Sequence, residues 1–270
     1  MTGRRTGARS RIARIALPAT LGLAPRVWHA AAMSIEIPEK LAKDHGGVSA
    51  DEIGRKWAET MEVCGGLDGD QSVLDIGCGP GRMAISIGER FDWSNRYLGF
   101  DVRARDITWA TREITGRHPS FGFEHIDVRN PLYNPEGAVD PCEVRFPGEA
   151  FDFALATSVF THMQRDETAH YIRETGRVVS GVFLSSWFLI DDEAEAQIAG
   201  GHALFTFAHA LDDGTRADRA MAAETVAHPL ESAVEMLKAA GFSDIEHIRG
   251  RWTRIRTGRH NQDILVARKR

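Results

Sequence analysis

Asp75, Gly77, Gly79, Gly81, Asp101, Asp127 and His162 have the types and spacings that could hold or transform a small ligand. The stretch from Val73 to Arg82 sets a short apolar run, broken by the acidic Asp75, before a loop with glycine at every second position and Cys78 and Pro80 between. Glycine admits left-handed backbone and close approach of a ligand, and a helix opening after such a loop offers unpaired N–H donors to an anionic group. Pro80 suits a first helical position, so the helix is expected to open there. Asp101 ends a second apolar run twenty residues beyond Gly81. A carboxylate at that place can accept from both hydroxyls of an adenosine ribose, or it can cap the helix that follows. His162 could accept a proton from a hydroxyl or amine, because an unperturbed imidazole titrates near pH ~6.5. It could equally orient the helix after it.

The glycine spacing decides between ligands. Counting from Gly77, the third glycine of a dinucleotide fingerprint would fall on Arg82, while Gly81 comes one residue early. The pattern Asp-x-Gly-x-Gly-x-Gly instead resembles motif I of the class I S-adenosylmethionine (SAM) dependent methyltransferases. A second match is Phe151-Asp152-Phe153 running into Ser158-Val159-Phe160-Thr161-His162-Met163, which looks like the segment after strand four in small-molecule members of that family.

The resemblance covers about residues 49–270. It implies SAM as cofactor, with Asp75, Gly77, Cys78, Gly79 and Gly81 around its amino acid end and Asp101 and Val102 at the ribose. It also implies Asp127 at the adenine amino group, where the alternative is a turn residue, Val128 at the ring, and Thr157 and Ser158 beside the cofactor. Asn130-Pro131-Leu132-Tyr133 is similar to the motif that holds the target nitrogen in amino-methyltransferases, but it follows the third strand rather than the fourth. It reads as a turn-rich loop whose Leu132 and Tyr133 could wall a substrate pocket.

The elements that must position these residues follow in order. Ser49 to Cys64 reads as a helix with Ser49 as N-cap and Ile53, Trp57 and Met61 on one face. Strands are expected at Arg96–Asp101, Phe121–Ile126, Phe151–Ala156 and Gly181–Ile190, with a helix from Gln164 to Val179. Residues 191–228 are irregular and read as a lid, with Phe205, Phe207 and His209 as candidates for substrate choice. Pro229 opens a further helix, and Asp244–Ile248 and Asp263–Ala267 read as the last strands. The family implies α/β architecture: a doubly wound, mostly parallel seven-stranded sheet of order 3-2-1-4-5-7-6, the last strand antiparallel, with helices on both faces.

Composition narrows the function. A chain of 270 residues can bury one substantial core, and residues 33–270 read as a single catalytic domain. Net charge −5 gives no overall basic footprint for nucleic acid. Residues 1–32 hold six arginines and no acid and read as a disordered or targeting extension. Three cysteines without CxxC spacing fit neither a disulfide framework nor a zinc site, no metal constellation is expected, and the location expected is cytoplasmic. Arg249 to Arg259 reads as a solvated hairpin face.

The function expected is methyl transfer from SAM to a small molecule, at a hydroxyl of a sugar, glycolipid or secondary metabolite. The alternatives are an RNA or protein methyltransferase and a nonenzymatic SAM-binding regulatory protein. A nicotinamide-dependent dehydrogenase is opposed by the glycine spacing. His162 is the candidate catalytic residue.

Overall fold

A computed structural model describes residues 13–14, 35–43, 50–148, 150–218, 225–255 and 258–270. Five parallel strands form its centre: β1 (Val73–Ile76), β2 (Tyr97–Asp101), β3 (Phe121–His125), β4 (Phe151–Ala156) and β5 (Val179–Trp187). β1 lies between β2 and β4 and is buried along its whole length, which is why it reads as a nearly continuous apolar run. β6 (Asp244–Ile248) and β7 (Asp263–Arg268) close the sheet, β7 running antiparallel to both β5 and β6. The seven strands therefore stand in the order β3-β2-β1-β4-β5-β7-β6, as the sequence leads one to expect.

An eighth, two-residue strand, Ala13–Arg14, pairs parallel with Glu246 and His247. It lies at the edge of the sheet; the other residues of the extension, like the expected cap Ser49, lie outside those described. The edge of β6 offers free N–H and C=O groups that can accept a passing segment.

Alternation along the strands splits the core between the two faces. Leu74, Ile76 and Phe100 pack with Tyr171 and Ile172 of α5 (Arg165–Val178) and with Ala233 and Leu237 of α7 (Leu230–Ala239). Val73, Tyr97 and Leu155 pack with Trp57 and Met61 of α2 (Ala50–Gly65), with α3 (Arg82–Arg90), and with Trp109 and Ala110 of α4 (Ala104–Ala110). A short α1 (Glu39–Lys43) adds Leu41 to that face. α5 opens on a reciprocal capping box between Gln164 and Glu167.

Two boundaries differ from the sequence reading. α3 begins at Arg82 rather than Pro80, because the Gly81 N–H closes a turn onto Cys78 O (3.0 Å) and Gly81 itself sits at the N-cap with φ 83°. The fifth strand stops at Trp187, and Leu189–Ile190 leaves the main sheet to pair with Val226–Pro229. β7 begins at Asp263 opposite Trp187, so no rung exists further along.

The described residues of 191–228, read from the sequence as a lid, hold a helix and short strands. α6 (Asp192–Ala199) is capped by Asp191, whose carboxylate accepts the Ala194 N–H (2.9 Å). A small sheet then orders Leu189–Ile190, Val226–Pro229, Arg216–Ala217 and His209–Ala210. Phe188, Phe207 and Trp252 form its core, with ring centroids 5.4–5.7 Å apart.

Asp263 joins lid and sheet. Its buried carboxylate accepts the Leu189 N–H (2.9 Å), the Gly250 N–H (2.8 Å) and the Trp252 indole N–H (2.6 Å), with His247 Nε2 at 3.4 Å. Removing it strands three buried donors, each costing about 1–3 kcal/mol. Asp263→Ala is therefore expected to destabilise the protein by about 3–5 kcal/mol in denaturant unfolding. Asp263→Asn, which keeps one acceptor oxygen, is expected to lose less.

Candidate functional site

A cavity of about 690 Å³ opens at the carboxyl ends of β1, β2 and β4, between α2, the lid and the 249–262 loop. That volume lies within the ~300–1,000 Å³ common to small-molecule sites, at the place where open α/β sheets bind ligands. Gly77, Cys78, Gly79, Asp101, Val102, Val128, Thr157, Ser158 and His162 all line it.

The glycine loop is held against β2. Gly77 and Cys78 N–H groups donate to Phe100 O (2.9 and 3.1 Å), and the Gly79 N–H donates to Asp101 Oδ2 (2.8 Å). Gly77 has φ 73°, and a Cβ there would lie 2.5 Å from Val159 Cγ2, so only glycine lets the loop and the segment after β4 share this space. Asp101 Oδ1 accepts the Arg103 N–H (2.9 Å). The Asp101 carboxylate thus ties the glycine loop to the turn after β2 while it lines the cavity.

Other residues depart from their expected places. Asp75 does not line the cavity: it lies fully buried beneath the loop, bonded to the Tyr97 hydroxyl, and burial pushes its carboxyl up to about 7. It supports the loop from below. Gly81 is also off the wall, and a Cβ there would meet Ile114 Cδ1 at 2.5 Å.

Asp127 turns outward, exposed, and accepts from Asn134 Nδ2 (2.9 Å). The Val128 N–H is engaged by Ile126 O (2.8 Å). The adenine contacts expected of this pair are therefore not arranged here, although Ile126 and Val128 supply an apolar wall.

After β4, Ser158 takes a left-handed φ of 59°, which costs a non-glycine residue about 1 kcal/mol or more. It is pinned by its N–H to Ser186 Oγ (2.7 Å) and by its hydroxyl to Gln262 Oε1 (3.1 Å), which also accepts from Ser186 Oγ (2.6 Å). His162 follows in a 3-10 turn (Phe160–His162) and meets Tyr133 edge to face, centroids 5.7 Å apart at 87°. Arg103 stacks over the same tyrosine at 5.7 Å. Leu132 is exposed and off the wall.

The lid grips the His162 turn at two points. His228 Nε2 lies 3.1 Å from both Phe160 O and Met163 O, so it carries the proton and donates to carbonyls on either side of His162. Asp213 Oδ2 accepts the Arg165 N–H (2.7 Å) at the start of α5. Of the expected specificity residues, Phe205 lines the cavity, whereas Phe207 is lid core and His209 is exposed away from the wall.

Sequence reasoning missed the wall formed by Ile53, Lys56 and Trp57 of α2 with Arg251, Arg259 and His260. Arg249 to Arg259 is not simply a solvated face: Arg249 is buried and pairs with Asp191 and with Glu193 (3.1 Å), and Arg259 pairs with Glu59. His260 stacks on Trp57 at 4.0 Å and meets Thr60 Oγ1 (2.8 Å). Among the described residues no cluster suited to a metal ion occurs, and no helix is long and apolar enough to cross a membrane.

Sheet order, crossover position and glycine loop together define an open α/β fold with its cavity at the carboxyl edge of its strands. Residues 73–181 match the family model of the methyltransferase domain.

Solved structures share the fold. Magnesium protoporphyrin IX methyltransferase from Synechocystis is 16% identical over 82% of this chain and 86% of that one, with a TM-score of 0.51. A SAM-dependent methyltransferase from Mesorhizobium loti is 15% identical over 78% and 98%, with a TM-score of 0.53. The [4+2]-cyclase SpnF is 24% identical over 82% and 81%, with a TM-score of 0.50.

Burial, opposed by the bonds to Phe160 and Met163 and by nearby Asp213, holds the His228 imidazole down at about 4. Its proton is then taken up by the unfolded chain first as pH falls from about 6.5 towards 4, so its stabilising share is whole above pH 6.5 and lost below 4. The stability difference between wild type and His228→Gln is expected to shrink by about 3 kcal/mol across that window, read from denaturant melts at each pH.

Proposed function

We propose that this protein binds SAM in the cavity and transfers its methyl group to a hydroxyl oxygen of a small molecule. The observation that carries the reading is the convergence of the glycine loop, Asp101 and His162 on one cavity. The chain fits the cofactor at the loop and the ribose. A tight glycine cradle stands over β1, and the Asp101 carboxylate lies on the cavity wall at the end of β2, where a ribose would meet it. The adenine end would rest on Val102, Ile126 and Val128 as apolar wall, with Asp127 turned away from it.

When bound, SAM supplies a methyl made electrophilic by its sulfonium, which an oxygen attacks in line as the carbon–sulfur bond breaks towards sulfur. The residues supply placement. Thr157, Ser158 and Tyr133 bound the space beside His162, and holding two reactants at about 3–3.5 Å can remove ~7–11 kcal/mol of barrier. His162 takes the hydroxyl proton on an imidazole nitrogen, which an alcohol or phenol needs more than a neutral amine. Leu204 and Phe205 from the lid and Phe188 below it give the acceptor end an apolar, aromatic lining suited to a metabolite.

Calorimetric titration with S-adenosylhomocysteine tests the cofactor. One saturable site is expected, weakened about 10- to 100-fold in Asp101→Ala, since each charged hydrogen bond contributes about 1.5–3 kcal/mol. No binding to the wild type would overturn the reading.

A labelled-methyl assay over metabolite extracts then tests the reaction. His162→Gln is expected to lower turnover about 10²- to 10⁴-fold with cofactor affinity unchanged. Turnover that survives the substitution would remove His162 as base.

A further inference from the structure

The cavity wall is unlike the rest of the molecule in charge. The chain as a whole is acidic, yet six cations, Lys56, Arg82, Arg103, Arg129, Arg251 and Arg259, line this one volume against two carboxylates, Asp101 and Glu167. SAM itself carries one net positive charge, from its sulfonium and amino acid groups together. A wall built only for that cofactor would not gather cations.

Several of these cations are balanced from behind. Lys56 pairs with Glu52 (2.6 Å), Arg103 with Asp106 (3.2 Å), Arg129 with Asp140 (3.0 Å) and Arg259 with Glu59. Arg251 differs. Its guanidinium donates to the amide oxygen of Asn261 (3.1 Å), and among the described residues it meets no carboxylate. Its backbone is fixed by a bond to His260 O (3.0 Å) at the mouth of the 3-10 turn Arg251–Thr253.

Lys56, Arg251 and Arg259 surround one neutral ring. Burial and then these three charges drive the His260 imidazole down to about 3, so at neutral pH it adds no charge of its own. Packed against Trp57 with the rings tilted by 35°, it forms a floor with cations around it. Arg82, by contrast, follows Gly81 directly and stands beside the glycine loop, where the cofactor's own carboxylate would lie.

We propose that the corner formed by Lys56, Arg251 and Arg259 over His260 is an anion subsite, receiving a carboxylate or phosphate group carried by the methyl acceptor. The guanidinium of Arg251 is the principal donor, because a planar fork suits either oxyanion and no acid competes for it. This deepens the methyltransferase reading and rests on it for the cofactor's place. The acceptor is then a hydroxyl compound that is also an anion, such as a hydroxy acid or a sugar phosphate, rather than a neutral glycolipid.

The experiment is a ³¹P NMR titration of inorganic pyrophosphate onto the full chain, first saturated with S-adenosylhomocysteine. Saturable broadening is expected for the wild type, weakened at least tenfold in Arg251→Gln and less in Lys56→Gln, while S-adenosylhomocysteine affinity stays within twofold in both. Arg251 is exposed, so thermal melting of its variant should match the wild type.

Absence of pyrophosphate binding, or binding unchanged in the Arg251→Gln, Lys56→Gln double variant, would overturn the subsite. A parallel fall in S-adenosylhomocysteine affinity would also overturn it, by assigning these cations to the cofactor carboxylate. If the wild type binds no S-adenosylhomocysteine at all, the methyltransferase reading fails separately, and pyrophosphate titrated onto the protein alone still decides whether the corner holds an anion.

Discussion

One buried carboxylate, that of Asp263, sets how the two halves of the molecule meet. A charge removed from water is tolerable only when donors surround it, and here the donors come from three separate places: the strand that leaves the main sheet at Leu189, the turn at Gly250 and the indole of Trp252. Because all three answer to one side chain at the head of β7, the lid, the 249–262 loop and the sheet have a single relative arrangement. The cavity exists because that arrangement leaves a gap above β1, β2 and β4.

The lid consequently shapes the cavity wall as well as bordering it. His228 and Asp213 reach from it to the two ends of the short segment that presents His162, so the position of the imidazole and the position of the cover are coupled. The opposite wall has a different character. α2 and the 249–262 loop bring aromatic and cationic groups together across about two hundred residues of sequence, with Trp57 against His260 and Glu59 against Arg259.

The central sheet was legible because burial on both faces forces near-continuous apolar runs, and the glycine loop because its spacing is intolerant of other residues. Asp101, Ser158 and His162 could be brought to the cavity for the same reason: the first ends β2 and the other two closely follow β4, strands whose ends were readable. Asp127 was misplaced because its outward turn depends on Asn134, a loop residue with no periodic signal. Asp75 shares the motif but supports it from beneath, where strand alternation carries it to the Val73 face.

Phe207 and Phe205 look alike in sequence, and only packing against Trp252 separates core from wall. Lys56, Arg251 and His260 carry no local mark of a site at all. Their role comes from a meeting between distant segments that no window of sequence contains. The shared fold with a cyclase is a reminder that architecture fixes where chemistry occurs and leaves open which chemistry it is.

Gly77 and Val159 have a bearing on descent. The hydrogen of one and a methyl of the other occupy adjoining volumes, and the second residue lies between Ser158 and His162. A lineage could not exchange Gly77 for any other residue while Val159 stayed in place, and enlarging Val159 would press on the loop from the opposite side. Gly77 is thus held twice, by its left-handed backbone and by Val159, and Val159 in turn cannot grow, so the two most recognisable segments of this chain constrain each other.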